Sequence, residues 1–400
     1  MLALVTILAT APASGNVVTD WDEIAVKALQ PSIAAPALNP GLLPRAMAMT
    51  QIAMFNAANC VEPRYQGYRM LVEPSPGISM DAAVGSAAAT ILMKVIPVNN
   101  VQPILIDYLA KIPNGPPKDR GIKLGEEVAA KVIKMREDDG SQTRNAFRPV
   151  TQPGVYTATA FTIGWEASSM TPFVMVSPSQ FRPGPPPDLK SDTWAKDYNE
   201  IKELGERNST KRTTRQTEDA RFWLTTGPAA YHPLERQIAL AKNLSVVDSA
   251  RFMALASLAE ADAIQAVYEA KWHYMFWRPM TAIRNGDLDD NPATERDATW
   301  EPIDVTPLHP EYPCAHCIAS EAVAAVIRAT IGSDIPEVVI NSPSAPGVTH
   351  RYANLDTLTD EVANARIYAG FHYRNSTVVG RAMGKQIGEY VVTTVMQPLH

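Results

Sequence analysis

The chain has 400 residues, 46% of them hydrophobic, with 36 basic and 42 acidic residues and a net charge of −6. That is enough apolar sequence for a large core in one domain or two, and the even spread of charge, with no basic block, argues against a nucleic-acid partner. Three cysteines are too few for a disulfide scaffold, and no apolar run has the length of a membrane span.

Leu2 to Thr10 form a short apolar run followed by Ala11-Pro12-Ala13, a triplet of the cleavage-site type. Residues 1–13 are expected to be an export segment without the usual basic start, which places the protein in the periplasm or outside the cell. A plain disordered start on a cytoplasmic chain is the alternative.

Residues 14–140 carry helical patterns. Ala48, Ile52 and Phe55 follow Pro44 at helical spacing and stop at Pro63, and Ser79 to Ile96 is Ala-rich and closed by Pro97. Leu124, Val128, Val132 and Met135 share one face until Gly140. From 141 to 192 the pattern breaks at repeated prolines, including Pro185-Pro186-Pro187. An ordered loop is expected there, because Phe161, Trp165, Phe173 and Phe181 need a surface to cover. Residues 193–400 return to helices near Thr193, then over Val246 to Trp277, Ala315 to Ile331, Thr359 to Ala369 and Ser376 to Val395. No run alternates like a strand. The expected fold is mainly α, one compact unit built of helical bundles with a long Pro-rich loop.

Three stretches in the last third gather charge and histidine. In Lys271-Trp-His-Tyr-Met-Phe-Trp-Arg278-Pro279, two cations seven residues apart share one face of a continuous helix, beside Trp272, Phe276 and Trp277. They suit an anion clamp, or side chains snorkelling around an aromatic patch. In Tyr312-Pro-Cys-Ala-His316-Cys317, proline stiffens the approach to an apolar helix starting at Ala315. A helix N-terminus attracts anions, and a buried cap with a satisfied histidine is the plainer reading. In Arg366-Ile-Tyr-Ala-Gly370-Phe-His372, a break at Gly370 lets Arg366 and His372 turn to one point, and Ser376 can cap the next helix. A polar interhelical turn is the alternative. Together these pieces make a receptor for a tetrahedral oxyanion.

The order K-x6-R-P, P-x-x-H, R-x5-H resembles the signature shared by vanadium-dependent haloperoxidases and the phosphatidic-acid-phosphatase type acid phosphatases. The aromatic Lys271–Pro279 stretch is closer to the haloperoxidases. The resemblance implies a helical-bundle fold and a vanadate cofactor, with phosphate able to occupy the same site. Lys271, Arg278 and Arg366 would neutralise the oxyanion, with Cys314 and Ala315 in the loop that binds it. His372 would be the axial ligand of vanadium, or the phosphorus nucleophile of a phosphatase. His316 would be the acid–base residue. Its implied partners are hydrogen peroxide, a halide and an organic acceptor, with Lys271 polarising the bound peroxide. His309, a position that is aromatic in chloroperoxidases and histidine in several bromoperoxidases, points to bromide or iodide rather than chloride. The oligomeric state is left open, a homo-oligomer included.

The family's P-S-G-H reads Pro313-Cys314-Ala315-His316 here. A thiol donates more weakly than a hydroxyl, and alanine brings a methyl group where glycine has none. These changes point to weakened vanadate binding, and a non-catalytic oxyanion-binding relative is a third reading. Ser376 stands where an aspartate often orients the axial histidine through its second ring nitrogen. Cys314 and Cys317 read as free thiols in a substituted loop; a bridge across the first helical turn is the alternative in an exported chain.

Overall fold

The computed structural model describes residues 15–30, 41–71, 73–96 and 101–399. The expected export segment at 1–13 and the Pro97 stop lie outside them. Among the described residues the chain is mainly helical. The first group is α1 (Val17–Leu29), α2 (Leu42–Val61), α3 (Met80–Val95), α4 (Val101–Ala110) and α5 (Pro116–Met135). After the long loop come α6 (Asp192–Leu204), α7 (Thr214–Phe222), α8 (Pro228–Ala241), α9 (Val246–Tyr274) and α10 (Pro279–Arg284). The last three helices are α11 (Ala315–Thr330), α12 (Leu355–Tyr368) and α13 (Arg374–Thr394). No described helix is long and apolar enough to cross a membrane.

The helix starts follow local chemistry. Ser79, Ser191, Ser245 and Asn354 cap α3, α6, α9 and α12 through side-chain oxygens, and Asn16 and Thr213 make full capping boxes for α1 and α7. Prolines open α5, α8 and α10, where a missing N–H does no harm. Because Asn354 caps α12, that helix starts at Leu355, a turn before the expected Thr359.

Helix α9 is the axis of the molecule. Its side chains are buried almost all round from Val247 to Lys271, and it packs on α2, α11 and α13. The α13 face toward α11 carries Gly380, Gly384 and Gly388. A Cβ at these positions would strike the carbonyl oxygens of Cys314, Ile318 and Ala322 respectively, so the two backbones lie close together. This contact holds the start of α11 against the start of α13, where Cys314 N donates to Ser376 O at 3.2 Å.

Residues 141–191 contain one short 3-10 turn (Glu166–Ser169) and no α-helix. The loop is tied to α9 by Asp262, fully buried, whose carboxylate accepts the backbone N–H groups of Phe173, Val174 and Met175 at 2.7, 2.8 and 2.8 Å. One correction to the expected absence of strands is a small antiparallel hairpin, β1 (Val338–Asn341) with β2 (Thr349–Tyr352), in which Val338 pairs with Tyr352. Its strands span only four residues each, too few to show a period.

Candidate active site

The three charged stretches meet at one end of α9, and the chain breaks twice to bring them there. Lys271 and Arg278 do not share a helical face. Helix α9 ends at Tyr274, and Met275 takes a left-handed conformation (φ 54°). Phe276 then bridges to Val155 of the loop, and Arg278 sits in extended backbone ahead of Pro279. The second break is the one expected at Gly370 (φ 79°), between α12 and α13. The cap of α13, however, is Tyr373 rather than Ser376, which lies inside the first turn.

Each cation is buried and committed. Lys271 Nζ donates to the carbonyls of Pro310 (3.1 Å), Glu311 (2.7 Å) and Pro313. An ammonium has three donors, and all three are used on the loop that leads into α11. Arg278 donates from Nε to His309 O and from Nη1 to Phe371 O, both at 2.9 Å. Its Nη2 lies 3.0 Å from His309 Nδ1, and its Nη1 3.3 Å from His372 Nε2. Arg366 donates from Nη1 to Trp223 O at 2.6 Å, while its buried Nε has no partner.

The histidines are oriented by their neighbours. His316 Nε2 lies 3.4 Å from Leu224 O. A carbonyl only accepts, so this contact places the proton on Nε2 and leaves Nδ1 basic. His372 Nδ1 lies 2.8 Å from Glu311 Oε1, and that oxygen also accepts Tyr373 N–H at 3.2 Å. The carboxylate places the proton on Nδ1 and the lone pair on Nε2. Ser376 Oγ stands 3.5 Å from the same Nδ1.

A cavity of about 390 Å³ opens here, with His309, Ala315, His316, Arg366, Phe371 and His372 among its lining. Of the expected site residues, Lys271, Arg278 and Cys314 stand behind this wall. One side is closed by Ile163 and Tyr268. Gly164 packs against the Tyr268 ring in a left-handed conformation (φ 81°), and a Cβ there would collide with the ring.

The free-thiol expectation for the loop is overturned. Cys314 and Cys317 form a disulfide, with Cα atoms 5.4 Å apart. Helix geometry places a cap and the third residue after it side by side, and Cys314 Sγ also accepts Cys317 N–H at 3.3 Å. A disulfide sulfur has no proton to donate, so position 314 offers no side-chain donor to an anion.

The electrostatics are those of a site short of negative charge. Burial, then the neighbouring Arg278, holds Lys271 well below its ordinary value and pulls Arg366 down to about 9. Burial brings Arg278 down to about 10. His309, His316 and His372 are all held well below the usual histidine range, by burial first and the adjacent cations next. Glu311, pushed up to about 7 by burial, is the acid that opposes Lys271 and Arg278. Three buried cations, an orphaned guanidinium Nε and the first turn of α11 fit a tetrahedral oxyanion.

Glu311 was not singled out by its sequence. It is the only charged residue between Asp304 and Glu321 apart from the two histidines. That isolation was the available signal. A separate cluster, Glu218, Asp219 and His350, has ligand-type atoms within 4.8 Å of one another. The Arg215 guanidinium already sits on it, 2.9 Å from Glu218 Oε1 and 2.8 Å from Asp219 Oδ1.

Comparison with known proteins follows the same lines. Residues 251–400 match the family described as the VCPO second helical-bundle domain. The vanadium chloroperoxidase of Curvularia inaequalis is 29% identical over 147 residues, which cover 30% of this chain and 24% of that protein. The chain thus matches about a quarter of that relative's length. The first bacterial vanadium-dependent iodoperoxidase of known structure superposes with a TM-score of 0.81 at 22% identity, over 98% of this chain and 99% of that one. A holo-type bacterial vanadium-dependent chloroperoxidase superposes with a TM-score of 0.73 at 17% identity, over 96% and 98%. The chain therefore carries the fold of the bacterial vanadium haloperoxidases, and its last 150 residues match that family's second bundle domain.

Proposed function

We propose that this protein is a vanadate-dependent haloperoxidase that oxidises iodide or bromide with hydrogen peroxide. The observation that carries this reading is the buried set of Lys271, Arg278 and Arg366 at one cavity, with Arg366 in its lining and its Nε unpartnered, and with Glu311 opposing Lys271 and Arg278. When bound, vanadate supplies a Lewis acid that activates peroxide toward halide. Arg366 binds the anion from the cavity wall through its free Nε. His372 would hold vanadate through its Nε2 lone pair, and Arg278, whose Nη1 lies 3.3 Å from that nitrogen, would supply positive charge beside it. Lys271 acts at one remove: it fixes the loop from Pro310 to Pro313 and adds positive charge. His316, held neutral by burial and then by its cationic neighbours, takes and returns a proton at Nδ1. The apolar lining from Ile163, Ile264 and Phe371 keeps water from competing for the same donors.

The test is reconstitution of the purified chain with orthovanadate, followed by triiodide formation and bromination of a phenol indicator with peroxide. Halide oxidation should require vanadate and vanish in His372→Ala. Oxidation that is independent of vanadate, or that survives His372→Ala, overturns the reading. Hydrolysis of p-nitrophenyl phosphate by the vanadate-free protein, without halide oxidation after loading, would instead make it a phosphatase.

A further inference from the structure

We infer that Glu311 is the positioning residue for His372, a carboxylate supplied by the loop before α11 in place of one on α13. This inference deepens the reading of the site given above and rests on it for the identity of the bound anion. The supporting geometry does not depend on that anion. Glu311 and His372 are 0% and 1% exposed in their side chains, and their contact is 2.8 Å. The same oxygen accepts Tyr373 N–H, which fixes the carboxylate to the backbone beside the histidine. Lys271 grips the carbonyls of Glu311 itself, of Pro310 before it and of Pro313 two residues after it, so the loop is held from behind. Ser376, four residues after His372, stands 3.5 Å from Nδ1. A hydroxyl there does not supply the charge that keeps a ring proton on Nδ1 and the lone pair on Nε2.

The sign of the effect separates positioning from simple electrostatics. Glu311 opposes Lys271 and Arg278, so removing its charge makes the site more positive. Coulomb attraction alone then predicts tighter binding of an anion. Loss of positioning predicts weaker binding, because His372 no longer presents Nε2.

The experiment measures orthovanadate affinity by calorimetry on the full chain for wild type, Glu311→Gln and Glu311→Gln with Ser376→Asp. Positioning predicts a loss of about tenfold or more in Glu311→Gln and recovery of most of it in the double variant. Unchanged or tighter binding in Glu311→Gln overturns the inference, as does a loss that Ser376→Asp leaves in place while circular dichroism shows a native fold. A second readout needs no ligand: the 15N shifts of the His372 imidazole. In wild type they should report the proton on Nδ1, and in Glu311→Gln a mixture of tautomers that Ser376→Asp returns to one. If wild type binds no orthovanadate, the functional reading fails and these shifts alone decide the role of Glu311: the same tautomer mixture in wild type and variant overturns it.

Discussion

Cys314 and Cys317 are bonded across the first turn of α11, and the bond takes away the side-chain donor nearest to His316 in sequence. Replacing Cys314→Ser together with Ala315→Gly restores a hydroxyl and clears a methyl group from the cavity wall. Hydrogen bonds to charged groups are worth about 1.5–3 kcal/mol, so orthovanadate affinity should rise about tenfold or more. Calorimetry on oxidised protein checks this; equal affinities would show that position 314 has no bearing on the anion.

Arg366 lines the cavity, and its buried Nε has no hydrogen-bond partner. Arg366→Ala should weaken vanadate and phosphate binding by about a hundredfold, two charge-assisted hydrogen bonds at the lower end of their range. It also leaves Trp223 O without its donor, so a fall of about 1–3 kcal/mol in stability should accompany the loss. Arg366→Lys keeps the charge without the planar fork and should recover only part of the affinity. Competition titrations with phosphate and urea denaturation give the two numbers.

The Pro-rich loop depends on one carboxylate. In Asp262→Ala the N–H groups of Phe173, Val174 and Met175 lose their common acceptor inside the protein. Each buried orphan costs about 1–3 kcal/mol, so the loop should leave α9 at a smaller cost than staying. Limited proteolysis should then cut within residues 141–191 while the helices stay resistant. Resistance equal to wild type would mean that the aromatic contacts alone hold the loop.

A buried acid beside the cavity, close to Gly227 of its lining, sets a second pH response. Burial pushes Glu260 up to about 7, and its Oε1 has no hydrogen-bond partner. An unfolded glutamate titrates near about 4.3. Between that value and about 7 the native state keeps a proton that the unfolded state has lost, so stability falls as pH rises through this window. Glu235, raised to about 8 mainly by burial, acts in the same direction, as does His232, raised to about 9 against burial by Glu235 and Asp22. Glu260→Gln mimics the protonated acid. It should flatten the decline and raise the melting temperature at pH 8 by a few degrees, with little change at pH 5. A parallel shift at both pH values would assign the effect to packing.

The sequence made α9 legible because its apolar residues cover every face, and it made the anion site legible because cations and histidines are costly to bury together without a ligand. Gly370 announced the turn between Arg366 and His372 for a backbone reason, its positive φ. What stayed hidden depends on contacts distant in sequence. The break of α9 at Met275 is made by Phe276 pairing with Val155, more than a hundred residues away. The commitment of all three Lys271 donors depends on where the loop from Pro310 to Pro313 lies in space. Glu311 is 61 residues from the ring it touches, and no spacing rule joins them. The disulfide stayed hidden because the spacing of two cysteines alone does not fix their redox state.

Gly164 carries a consequence for how this cavity can evolve. The Tyr268 ring it touches packs edge-on against His309, with centroids 5.1 Å apart, and His309 Nδ1 faces Arg278. A side chain at position 164 would push that ring, the ring would push the imidazole, and the imidazole would move the guanidinium. The breadth of the chamber and the setting of one of its cations are therefore a single inherited trait. A mutation that reshapes the wall for a bulkier acceptor also retunes the grip on the anion.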